Sequence, residues 1–132
     1  MKKTLYVLLA TGLFCITTNA LADTAPSTEL RPSQKAMQAR SAWVKGMSAN
    51  SAAMKYEAVA QDATALAAQT ETIGKTQSNP LAKELTMKLS SSATAMATAA
   101  TKKDGEAVKM KLADIKAVCA ECHAKIRDKD KK

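Results

Sequence analysis

DGEAVKMKLADIKAVCAECHAKIR, residues 104–127, is the stretch on which the reading of the whole chain turns. Val108, Leu112, Ile115, Val118, Cys119, Cys122 and Ile126 recur at intervals of three and four residues, with Val118 and Cys119 adjacent, on one side of a helix. The spacing predicts a helix over 104–127 with an apolar stripe facing a core. Cys119, Cys122 and His123 ride on the end of that stripe. Residues i and i+3 share a face, and His123 lies four beyond Cys119, so one helical turn presents two thiols and an imidazole to the same side.

Two thiols three residues apart, followed at once by His, have the spacing of covalent haem attachment. Each thiol adds across one vinyl group of the porphyrin edge, so both sulfurs must face that edge. His123 then reaches the iron from the proximal side. Two other chemistries use paired cysteines. A thioredoxin-like disulfide needs a strand-to-helix junction, and no segment here alternates with period two. A closed zinc site needs four ligands, while His123 is the single histidine of the chain. The same count excludes two histidines on one iron. The sixth position falls to Met, to Lys, to an external ligand or to nothing. The expected cofactor is one haem c per chain.

Upstream, the same periodicity predicts three more helices, over residues 33–50, 52–73 and 80–102. Leu81, Leu85, Leu89 and Met96 make the stripe of the third, and Tyr56, Val59, Ala63, Leu66 and Ile73 that of the second. Ser33 or Pro32 opens the first, Gly74 is expected to stop the second, and Asn79-Pro80 starts the third. Short connections favour sequential neighbours, so the expected fold is all-α, an antiparallel up-down-up-down four-helix bundle with haem on its last helix. The Ala-, Ser- and Thr-rich stretch 90–101 reads as a small-residue face for close helix approach, or alternatively as a hinge.

The beginning of the chain reads differently. Lys2 and Lys3, an apolar run from Leu5 to Ile16, and Ala20-Leu21-Ala22 before Asp23 are laid out as a signal peptide over residues 1–22. The run is shorter than the roughly 20 residues that span a bilayer, so no stable membrane anchor is expected. Cys15 follows the bulky Phe14 and reads as an apolar residue of the leader. Residues 23–32, with Pro26 and Pro32, form an extended lead-in, and the bundle occupies 33–132. The expected location is the periplasm, after cleavage.

Loss of 1–22 leaves 18 basic against 12 acidic residues, a net charge of +6. Two haem carboxylates would lower this by about two. Such a balance favours partners with acidic surfaces. Nucleic acid is not among them, because only Trp43 and Tyr56 remain for base stacking. The same scarcity leaves a thin core of Ala, Met, Leu, Val and Ile, to which a flat apolar group would add bulk. Trp43 is expected to pack in the bundle or against that group.

Cys119-Ala120-Glu121-Cys122-His123-Ala124-Lys125-Ile126-Arg127, together with Asp104-Gly105 before a helix and an alanine-rich third helix, resembles the cytochrome c-prime family, the class II c-type cytochromes. The resemblance spans nearly all of residues 23–132, and the closing motif is its specific part. It implies that the first helix crosses the distal haem face, where a residue ligates or blocks the iron. Ser33-Gln34-Lys35-Ala36-Met37 aligns with the family's Arg-Gln-x-x-Met opening, with Ser33 in place of Arg. Met37 is thereby implied as the distal ligand of a low-spin member, with Met47 and Met54 as rivals. Met87, Met96 and Met110 are disfavoured by the same resemblance. Arg127 is implied as a contact of a haem propionate, or else as a solvated cation at a helix end. Residues 125–132 read as a frayed basic tail, or as a docking patch.

The resemblance implies a one-electron carrier with His/Met-ligated iron that exchanges electrons with redox partner proteins, without substrate turnover. It also implies an alternative: a five-coordinate iron that binds NO or CO. A homodimer through the first two helices is a further implication. The sequence shows no paired catalytic carboxylates, no nucleophile with an orienting His and no glycine-rich phosphate loop.

Overall fold

The computed structural model describes residues 30–127. The leader 1–22 with Cys15, most of the lead-in 23–32 and the tail 128–132 lie outside the described residues. Four helices pack against one another: α1 (Pro32–Ala52), α2 (Tyr56–Thr76), α3 (Pro80–Thr101) and α4 (Gly105–Cys122). The described residues contain no strand. Each connection is three residues long. α2 meets α3 most extensively, α3 meets α4, and α1 lies on α2 and more sparsely on α4. No helix among the described residues is long and apolar enough to cross a membrane.

The ends of the helices follow local chemistry. α1 starts a residue earlier than expected, with Pro32 at its first position, where the missing N–H is no loss. The Arg31 N–H donates to Gln34 Oε1 at 2.9 Å. α1 also runs past its expected end at 50, because neither Gly nor Pro interrupts it. It closes through Met54, a non-glycine residue at φ 56°, with Lys55 N–H on the Asn50 carbonyl at 2.8 Å and Met54 N–H on Ser51 at 3.1 Å. This pair of bonds is a Schellman closure. Lys103, also at φ 56°, closes α3 in the same way, with Asp104 N–H on Ala99 and Lys103 N–H on Ala100.

Asn79 caps α3 as expected, its Oδ1 accepting from the N–H groups of Leu81 and Ala82 at 3.0 and 3.1 Å. Asp104 caps α4 through Ala107 N–H at 3.0 Å. Two expectations need correction. Gly74 does not stop α2, which continues to Thr76; no glycine has a positive φ among the described residues. Gly74 instead lets α3 come close, since a Cβ there would stand 2.6 Å from Met87 Sδ. The last helix is not α-helical to Arg127, because its end widens into a π-helical turn, His123–Arg127.

The core joins all four helices. Met47 comes from α1, Val59, Ala63 and Leu66 from α2, Leu89, Ala93 and Met96 from α3, and Val108, Ile115 and Val118 from α4. Trp43 packs against this cluster, half-buried. Alanines at the seams bring backbones close, which is how so few large side chains fill the interior. Hydroxyls within this core are satisfied locally: Thr70 donates to the Leu66 carbonyl at 2.7 Å, and Ser90 crosses to the Ala67 carbonyl at 3.1 Å. No buried side-chain nitrogen or oxygen among the described residues lacks a partner. The 90–101 stretch lies in an unbroken helix, so it is a packing face and not a hinge.

Candidate functional site

Where α1 pulls away from α4, a cavity of about 720 Å³ opens. This lies in the usual size range for a small-molecule or cofactor pocket. α1 contributes Met37, Arg40, Ser41 and Val44, spaced i, i+3, i+4 and i+7 along one face. α3 supplies Leu85 and Leu89, which also pack the core below. α4 and its π-helical turn supply Val118, Cys119, Cys122, His123, Ile126 and Arg127. All five residues singled out from the sequence, Met37, Cys119, Cys122, His123 and Arg127, therefore line one cavity.

The cavity separates Met37 from its rivals. Met47 and Met96 are core residues with no exposed surface. Met54 sits in the α1–α2 turn, 72 % exposed, and Met110 is 60 % exposed on α4. Met87 fills the space left by Gly74. Met37 alone among the methionines of the described residues borders the cavity, and it is 44 % exposed.

Cys119 and Cys122 are unbonded to each other. Burial raises the pKa of both thiols, the nearby Arg40 charge pulling the other way. Both are therefore thiols at neutral pH. Their turn is braced from outside by Glu121, which accepts from Lys125 at 2.6 Å and from Lys88 of α3 at 3.4 Å. The Lys125 hydrogen bond and charge hold the Glu121 carboxyl below its usual range. Among the described residues, no group of three or more His, Cys, Asp or Glu side chains is disposed to hold a metal ion. The donors are spread around the cavity wall and suit an extended group better than a bare ion.

Sequence reasoning missed Arg40. It is 8 % exposed, and its Nε donates to Gln69 Oε1 of α2 at 2.9 Å. Burial lowers its pKa, opposed by the two cysteines nearby. The signal was present in the chain. Arg40 falls in the inward register of α1 between Met37 and Val44, where an apolar residue belongs. Arg31, Lys45 and Arg127 also border the cavity, and no Asp or Glu among the described residues does. Apolar walls bordered by four cations, with no carboxylate among the described lining residues, suit a flat apolar ligand that carries acidic groups. No protein-family model, no curated protein and no solved structure matches this chain.

Proposed function

We propose that this chain is an exported c-type cytochrome of the c-prime kind, a one-electron carrier with a single covalent haem c and no substrate turnover. Cys119 and Cys122 would hold the haem through thioethers, His123 would ligate iron on the proximal side and Met37 on the distal side. Arg127 would face a haem carboxylate, as its place on the cavity wall allows. The observation that carries the reading is the convergence of two thiols, the single imidazole and one thioether on an apolar cavity walled by cations. The bound haem would supply a reversible one-electron couple. Thioether and imidazole ligation by Met37 and His123 would raise its potential.

Three-residue connections and the ring of neighbouring helices support an antiparallel up-down-up-down order for the bundle. The signal-like segment 1–22 supports a periplasmic location, and the net positive charge supports redox partners with acidic faces. A homodimer through α1 and α2 belongs to the same proposal.

Intact mass and the pyridine haemochrome spectrum of the exported protein test attachment. One haem lost on changing both Cys119 and Cys122 to Ala is expected; a chain that carries no haem refutes the reading. Absorption spectra with and without carbon monoxide then test the distal side. A far-red ferric band, with ferrous bands indifferent to carbon monoxide and a Met37→Ala variant that loses both traits, is the expected result. A high-spin spectrum that responds to carbon monoxide in the unaltered protein would turn the assignment to a gas-binding haem protein.

A further inference from the structure

We infer that Arg40, fixed by Gln69, is a buried positive charge that poises the bound haem toward its reduced form; this rests on the haem reading above. A guanidinium remains charged at neutral pH even when burial lowers its pKa. A buried charge is ordinarily matched by a carboxylate. The hydrogen-bond partner of Arg40 is the neutral Gln69 amide, and no Asp or Glu among the described residues pairs with it. No carboxylate among the described residues therefore cancels its charge.

Position and burial together make that charge effective. Arg40 lies one turn along α1 from Met37, on the same cavity wall, and within electrostatic range of Cys119 and Cys122. A haem held at those cysteines would share the cavity with it. Ferric iron in a porphyrin carries one net positive charge on the iron–ring unit, and ferrous iron carries none. A neighbouring fixed cation thus disfavours the oxidised form. Arg31 and Lys45 bear the same sign at the cavity mouth, but they are exposed and screened by salt. Arg40 is shielded from that screening. The redox step itself is one electron, accepted from a donor protein and passed to an acceptor, with no proton exchanged at Arg40.

The test is a spectroelectrochemical titration of the haem-loaded protein and three variants. Arg40→Gln removes the charge. Gln69→Glu leaves Arg40 in place and cancels its charge with an ion pair of nearly the same shape, so it reads the electrostatics without a hole in the packing. At a fixed ambient potential both are expected to raise the ferric-to-ferrous ratio at least threefold and about tenfold, the latter equal to about 59 mV for one electron. The shift persists at high salt, and Arg40→Lys stays within threefold of the unaltered protein. A Gln69→Glu holoprotein within threefold of the unaltered one overturns the inference, even where Arg40→Gln fails to take up haem. Absence of haem from the unaltered protein is a different result, and it overturns the functional reading instead.

Discussion

Gly74 offers a quantitative test of how closely α2 and α3 approach. A Cβ at this position would stand 2.6 Å from Met87 Sδ, 3.2 Å from Met87 Cγ and 3.5 Å from Thr86 Cγ2. Ordinary carbon contacts begin near 3.5 Å, so the Met87 side chain must retreat by about 1 Å. Overpacking of this kind costs about 1–3 kcal/mol. Replacing glycine by alanine inside a helix returns about 0.5–1 kcal/mol. Gly74→Ala is therefore expected to destabilise the protein by about 1 kcal/mol, the difference of those ranges. Met87→Ala removes the obstruction. In that background Gly74→Ala should stabilise by about 0.5–1 kcal/mol, because only the backbone gain remains. The coupling between the two sites is then about 2 kcal/mol, within the range for residues in contact. Urea unfolding of the four proteins, followed by far-ultraviolet circular dichroism, measures it directly. Additive behaviour within about 0.5 kcal/mol refutes the close approach, since sites that do not touch add to that precision.

Asn79→Ala removes the acceptor for two N–H groups at the start of α3 and should cost about 1 kcal/mol, lowering the unfolding temperature by about 4–8 °C. Met47→Ala, in the core, should cost about 2–5 kcal/mol and, on the proposed haem reading, leave the haem spectrum unchanged; a spectrum like that of Met37→Ala would reverse the proposed assignment of the two methionines. In the haem-free chain, burial keeps Cys119 and Cys122 protonated to higher pH than ordinary thiols. Since the thiolate is the nucleophile, iodoacetamide should label them more slowly at pH 8 than it labels a free cysteine. Arg40→Gln should slow labelling further, because the Arg40 charge favours the thiolate; faster labelling would contradict the placement of Arg40.

The helices and the clustering of Cys119, Cys122 and His123 were legible because both depend on spacing along one element. The stripe from Val108 to Val118 is buried as read, and Cys119, Cys122 and His123 share a cavity because one turn carries them. Breaks without a glycine or proline were harder to place. The α1–α2 turn closes through Met54 in a left-handed conformation, which nothing in its residue type announces. Gly74 misled for the opposite reason: its signal as a helix stop is strong, but the missing Cβ serves the contact with Met87 across to α3. Arg40 escaped notice because its hydrogen bond is to Gln69, 29 positions later on another helix. No local pattern reports such a pair. The π-helical turn at His123 likewise arises where α4 ends against the cavity, and spacing alone reads it as more α-helix.

The exposure of Met37, set against the burial of Met47 ten positions further along the same helix, separates two kinds of inheritance. Substitution at a half-exposed helical position commonly changes stability by about 0.5 kcal/mol or less, while the loss of a core methionine costs several times that. Descendants of this chain can therefore sample Leu, Phe or Met at position 37 with the bundle intact. Each such step exchanges what faces the cavity without asking the core to refold. On the proposed haem reading, a lineage built on this scaffold is free to drift between carrying electrons and holding a diatomic gas through single substitutions. Its core, from Met47 to Val118, is under no pressure to follow.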